Sequence, residues 1–390
     1  MALSKLSQPL LLSTGVAIAV LVGGCSKGAK VEVHKPNPLP KLSQNQSQTL
    51  TPVFKASVKG GEKVDALRLQ LAADDNAIYA VSRHGDVVAY TMQGKKLWET
   101  RPNKKLKNLT SGVSVGEGVV VVGAQNGMIY GLDASTGALA WQRQLTGAVL
   151  APSLIHQGRV ITYTNDGTVY GTDAATGSAI WTFNTASTQL SVRGTAAPIL
   201  AEDGTVIMAN SAGYVYGLDG INGIPKWQRR VAVSEGRSEV QRLIDIDGDP
   251  VVADNTLYTV SYQGQVTAVD LSSQRVLWSQ DTSSLRSVAV GNGLVFVADS
   301  NGKLQAYNQT TGEKAWQQDA LAYRELSNPV MLGQYMVVGD LDGYLHLIEP
   351  TTGNILGRVR SSGEIRTIQV INNRLYVATR TGNLSVWQAA

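Results

Sequence analysis

The chain is 390 residues long and sets 34 Lys and Arg against 30 Asp and Glu, a formal net charge of +4. So small an excess, with no basic stripe interleaved with aromatic residues, excludes a nucleic-acid-binding protein. The single cysteine, Cys25, excludes an internal disulfide and a cysteine-based zinc site.

At the N-terminus Lys5 supplies a positive region, and Pro9–Val22 is apolar but too short for a good transmembrane helix. Gly23 and Gly24 then place small residues before Cys25. This is a secretory signal, residues 1–24. The run Leu21-Val22-Gly23-Gly24-Cys25 resembles the bacterial lipobox. That resemblance implies cleavage after Gly24 and acylation of Cys25, with several acyl chains giving a stable membrane anchor. Ser26 stands where an Asp would favour inner-membrane retention in enteric lipoproteins. The expected location is therefore the outer membrane, facing the periplasm. Residues 25–50 read as the acylated cysteine and a flexible tether. Pro36, Pro38 and Pro40 alternate with other residues, and Ser43–Gln48 is wholly polar, so nothing there packs a core. A flexible chain of this length spans ~28 Å root-mean-square.

From residue 51 to 390 one phrase returns: a glycine, alternating apolar residues, an Asp or Asn, a tight turn, then a Trp. The leading glycines are Gly85, Gly127, Gly167, Gly213, Gly264, Gly302, Gly343 and Gly382, spaced by 42, 40, 46, 51, 38, 41 and 39 residues. A period of roughly 40–45 residues is that of a four-stranded propeller blade. The segments alternate with period 2, as in Thr256–Ser261 and Leu294–Ala298, and are bounded by Gly, Asn and Asp. The sixth unit, for example, should place strands at Ser287–Gly291, Leu294–Asp299, Lys303–Tyr307 and Lys314–Gln317. Trp98, Trp141, Trp181, Trp227, Trp278 and Trp316 occupy one slot on the outer strand, where a flat ring wedges between neighbouring sheets. Gly357 takes that slot in the seventh unit, and Trp387 is out of phase, inside a third strand. The eighth unit has three strands of its own. Pro52–Val58 can supply the fourth, with Phe54 in the tryptophan slot. The expected fold is thus all-β: an eight-bladed propeller of four-stranded antiparallel blades, its ring closed by an N-terminal strand that completes the last blade and leaves no open edge.

Catalytic patterns fail on context. Gly112-Val113-Ser114-Val115-Gly116 matches a nucleophile-elbow motif, but it falls in a strand followed by another strand rather than a helix. His34, His84, His156 and His346 have no metal-ligand spacing. Asp245-Ile-Asp247-Gly-Asp249 hints at a calcium loop but lacks the Gly and Glu that an EF-hand requires. No cofactor and no metal are therefore expected.

The two long spacings put extra residues in the connections Asn184–Gly194 and Val231–Pro250, from successive blades. Long connections on a rigid scaffold are where binding concentrates. Leu190-Ser-Val192-Arg193-Gly194 in the first, and Arg237 to Asp247 in the second, combine apolar residues, Arg and Asp. Either they form a protein-binding patch or they pack on one another through an internal Arg–Asp pair.

The run Leu132-Asp-Ala-Ser-Thr-Gly-Ala-Leu-Ala-Trp141 and its sisters resemble the tryptophan-docking repeats of pyrroloquinoline-quinone alcohol dehydrogenases. Those enzymes use a vicinal cysteine pair and calcium, so this resemblance implies the fold without the activity. The lipobox, the tether, the eight repeats, the loop phrases Leu190–Gly194 and Arg242–Asp247, and Gly339–His346 together resemble another family. It is the propeller lipoprotein family of the outer-membrane β-barrel assembly machinery. This resemblance implies a non-catalytic scaffold that binds the periplasmic POTRA domains of BamA through Leu190, Val192, Arg193, Asp245 and Asp247. Val192 stands where that family has Leu. It also implies indirect contact with the other assembly lipoproteins, and action on unfolded outer-membrane protein clients. The alternatives are a periplasmic quinoprotein-type enzyme and a polysaccharide-binding propeller.

Overall fold

The computed structural model describes residues 34–43, 46–58, 69–105, 108–185, 195–232 and 246–389. Thirty-two strands, β1 to β32 in chain order, form eight four-stranded antiparallel sheets, and the described residues include no helix. Seven sheets are built from four consecutive strands. The eighth has the order β1-β32-β31-β30, where β1 is Leu50–Ser57, β30 Ile365–Ile371, β31 Arg374–Thr379 and β32 Asn383–Ala389. The expected eight-bladed propeller and its N-terminal closing strand are both present. The sixth blade runs Ala289–Gly291, Leu294–Ala298, Leu304–Asn308 and Lys314–Gln318, within two residues of the expected bounds.

Register explains the tryptophan slot. In three blades the Trp faces a glycine across the third and fourth strands (Gly131↔Trp141, Gly171↔Trp181, Gly217↔Trp227), and in three others an alanine (Ala89↔Trp98, Ala268↔Trp278, Ala306↔Trp316). Only a small residue leaves room for the indole. The ring then reaches the next blade, where the indole N–H of Trp98, Trp141, Trp278 and Trp316 donates to a turn carbonyl at 3.0, 2.8, 3.0 and 2.8 Å. These four Trp thus couple two sheets by burial and by one hydrogen bond, the nearest-neighbour interaction that stabilises a repeat array. Trp181 packs against the next blade and Trp227 against its own small partner. Trp387 lies in β32, buried, with its N–H on Ser385 Oγ at 2.8 Å.

Phe54 occupies the equivalent slot of the last blade. It pairs with Val386, and its ring lies against the turn glycine Gly94 of the first blade. Gly94 has φ +84°, and a Cβ there would come within 2.5 Å of the Phe54 ring, so the closing contact depends on the missing side chain.

The tether is shorter than composition implies. In place of a flexible segment throughout residues 25–50, the compact unit begins at Pro36. The Asn37 amides donate to Ala322 O and Asp319 O, both at 3.0 Å, and Arg358 Nη1 donates to Pro40 O at 3.0 Å. Leu42 packs on the sixth- and seventh-blade core, and Gln46 Nε2 donates to Ile355 O at 2.7 Å. Composition weighs side chains, whereas this strap is held largely through its main chain. It also explains Gly357, which faces Leu347 where the other blades carry Trp. A Cβ on Gly357 would lie 1.9 Å from Gln48 O, and Gln48 N donates to Leu356 O at 3.1 Å. The strap passes where the tryptophan would be. Gly357→Ala is therefore expected to displace the strap while the ring stays closed. Limited proteolysis should then cut between residues 36 and 49 far faster than in the parent protein, with the propeller core left intact. Unchanged cleavage would refute the docking.

Candidate partner-binding face

In each blade the first strand lines the central channel and the fourth lies outside. All fourth-to-first connections and all second-to-third turns therefore fall on one face. Both long connections start and end there. Leu190, Val192, Arg193 and Asp245 are outside the described residues, as is Cys25. The segments that launch and receive the two loops lie within them.

The first loop leaves β13 (Ala179–Asn184) through Thr185, which is buried and donates from its hydroxyl to Gly167 O at 3.0 Å. It returns through residues 195–198 into β14 (Ile199–Leu200). The second leaves β17 (Pro225–Arg230) and returns through Ile246–Pro250 into β18 (Val251–Ala253). One carboxylate joins the two returns. Asp249 accepts from Ala197 N at 2.8 Å and from Gln70 Nε2 at 2.7 Å, while its own N–H donates to Ser287 Oγ at 2.9 Å. Gln70 precedes the first strand of blade one and Asp249 that of blade five, half a ring away, so this hydrogen bond crosses the channel. Beneath it the inner strands of blades five to eight line a cavity of ≈ 310 Å³ whose walls are mainly Val251, Val290, Val330, Met331 and Ile368. The packing is close at Gly248, where a Cβ would meet the Arg286 backbone at 2.7 Å.

Asp247 is 3 % exposed and beside the buried Ile246. It is engaged within the folded chain. Asp247 thus stands buried at the point where the second connection returns to the sheet.

A second group on the same face lies in blade seven. Arg324, 4 % exposed, donates from Nε to Asp340 Oδ2 at 2.9 Å, pairs through Nη2 with Asp342, and donates from Nη1 to Asn37 O of the strap at 2.8 Å. His346 Nε2 also meets Asp340 Oδ2, at 3.0 Å, and both groups are fully buried. Asp340 Oδ1 accepts from the backbone N–H of Asp342 and Tyr344 at 3.0 and 2.9 Å. Burial pushes the Asp340 carboxyl up. The hydrogen bond and charge of His346, the Tyr344 N–H and Arg324 outweigh it and hold the group below the usual carboxylate range. The array is a structural clamp that fastens the strap to the loop-bearing face.

Asp249, Gln70 and Arg324 are not evident as site residues in the sequence. Two acids in the turn Asp340-Leu-Asp342-Gly343 are a legible demand for a buried cation. The Gln70–Asp249 contact has no local signal.

These features define a closed tryptophan-docking propeller whose two long connections start and end on a clamped face. The family model described as "Outer membrane protein assembly factor BamB" matches residues 83–318 and 300–390. A BamB from Yersinia pestis is 32% identical over 385 residues, covering 96% of this chain and 97% of that one. The crystal structure of BamB from Moraxella catarrhalis superposes with a TM-score of 0.80 at 36% identity, covering 87% of this chain and 100% of that one. Quinohemoprotein alcohol dehydrogenase from Comamonas testosteroni, at 13% identity and a TM-score of 0.69 over 90% of this chain and 78% of that one, shares the fold alone. The chain belongs to the BamB family of outer membrane protein assembly factors. It is a scaffold of that family and not a quinoprotein enzyme.

Proposed function

We propose that this protein is a lipid-anchored scaffold of the outer membrane, facing the periplasm, which docks on the POTRA domains of BamA and assists folding and insertion of β-barrel outer-membrane proteins. The observation that carries this reading is the near full-length relationship to outer membrane protein assembly factors. Two features support it: the lipobox-like sequence at Cys25, and the two long loops launched from adjacent blades of one face. In this reading Leu190, Val192 and Arg193 make the first contact and Asp245 the second, with Asp247 holding the second loop in shape from inside. The other assembly lipoproteins are reached through BamA, and unfolded clients are met at the assembled complex.

The test is retention of soluble POTRA domains on the immobilised mature protein. The parent protein should retain them, and the double variant Arg193→Glu/Asp245→Lys should lose at least nine-tenths of the signal with its melting temperature unchanged. Equal retention by both would remove these loops from the interface. Asp247 is left unaltered because its burial makes a charge reversal there a folding mutation.

A further inference from the structure

The roots of the two long loops are joined by a run of rings. Phe183, one residue before the first connection opens at Asn184, packs edge-on against Tyr216, with centroids 5.8 Å apart and planes at 67°. Tyr216, 2 % exposed, lies 6.3 Å from Tyr214 in β16 (Tyr214–Asp219). Arg230, the last residue before the second connection opens at Val231, pairs across the strands with Tyr214 and places its guanidinium 5.8 Å from that ring. Arg230 is exposed, and among the described residues no carboxylate pairs with it. Its neighbour Arg229 is occupied elsewhere, donating from Nε to Gln274 O at 2.7 Å, and Lys226 Nζ donates to Thr205 Oγ1 at 2.9 Å. The outer strand of blade four, Pro225-Lys-Trp-Gln-Arg-Arg230, contains no acid.

Blade seven repeats the pattern beside the strap. There Arg358 and Arg360 each lie 5.5 Å from the Tyr344 ring; Arg360 is the one paired with Tyr344 across the third and fourth strands, as Arg230 is with Tyr214, while Arg358 is paired with His346. Arg358 is committed to Pro40 O of the strap. Arg360, which stands where Arg230 does, is exposed as Arg230 is, so the stacked guanidinium stays accessible in both blades.

A guanidinium laid on an aromatic ring has already lost most of its rotamer freedom. Its outward edge still offers N–H donors in the fork geometry that matches a carboxylate. Arg and Tyr are the residues that dominate protein interfaces when they stand on a rigid base. The ladder supplies that base, since Tyr216 and Phe183 fix Tyr214 from behind. We infer that Phe183, Tyr216, Tyr214 and Arg230 form a preset contact patch between the two loops, one that receives a carboxylate carried beside an apolar side chain on the partner protein. This rests on the proposed docking of a periplasmic partner on the loop-bearing face, and adds to it a charged anchor that the loop residues do not supply.

The experiment measures binding of the soluble POTRA domains to the full mature protein and to Arg230→Glu, Arg230→Gln, Tyr214→Leu and Arg193→Glu, at low and at high salt. Arg230→Glu should weaken binding at least tenfold and Arg230→Gln several-fold, both with unchanged melting temperature. The gap between parent and Arg230→Glu should narrow as salt screens the charge. Tyr214→Leu should weaken binding by removing the platform. Arg193→Glu tests the loop reading separately. Loss with Arg193→Glu but binding within twofold of the parent for Arg230→Glu and Arg230→Gln overturns the patch and leaves the loops standing. Loss with the Arg230 variants alone supports the patch and removes the loop assignment. Full binding by every variant overturns both.

Discussion

Asp340→Ala is expected to lower the unfolding free energy by about 3–5 kcal/mol, the usual cost of removing one partner from a buried ion pair. The change strips Arg324 and His346 of a shared acceptor at a site where Arg324 is only 4 % exposed and His346 fully buried. Asp342 still pairs with Arg324, but it is half-exposed and does not replace the lost contact with His346. For a propeller of this size, the loss corresponds to roughly 4–7 °C in melting temperature. The effect has a pH signature. Asp340 is held below the usual carboxylate range in the folded chain, so its contribution is complete above the unfolded value near pH ~4. It disappears as pH falls through the folded value. Melting curves of parent and variant should therefore differ by a constant amount from pH 7 to 5 and draw steadily together as pH falls below the unfolded value of ~4. A gap unchanged at pH 3 would mean that packing, and not the charged carboxylate, carries the stability.

Phe54→Ala is the second large effect. It removes the ring that joins the last blade to the first, at a position half-buried against Gly94. A loss of about 3 kcal/mol is expected, the lower end of the range for phenylalanine truncation because the site is not fully enclosed. Its neighbours offer no compensation, since Val386 lies across the strands and the Gly94 turn has no side chain to shift inward. Thermal or urea unfolding checks it directly. A change below 0.5 kcal/mol, on the order of an ordinary surface substitution, would mean that the main-chain ladder of β1 and β32 closes the ring without the wedge.

What could be read from the sequence was what repeats. Glycine spacing, period-2 alternation and the tryptophan slot are each written eight or nearly eight times, so the blades, their register and the place of Phe54 were all legible. What escaped was written once. The strap at residues 36–49 carries few apolar residues, and its attachment through main-chain carbonyls to Arg324 and Arg358 leaves no pattern in the chain. The Gln70–Asp249 bond joins residues on opposite sides of the ring. The same Asp249 suggests a calcium loop in one dimension and holds two loop returns together in three. Asp247 reads as a surface acid in a long connection, yet it is buried, between the buried Ile246 and Gly248, where the packing is close. The ladder from Phe183 to Arg230 needs two blades placed side by side before its members meet.

The closing strand also orders events in time. A chain made from its N-terminus delivers β1 first among the described strands and its partner, β32, last, with Leu50 registering against Ala389. Each intervening blade can zip against its predecessor as it emerges, but the ring cannot lock until β32 has been made. During that interval β1 is an unpaired strand beside a growing stack of half-covered sheets, the kind of edge that other chains join. Contacts of such long sequence separation are also the slowest to form. The final closure is thus the step at which this protein most needs its own folding to be protected.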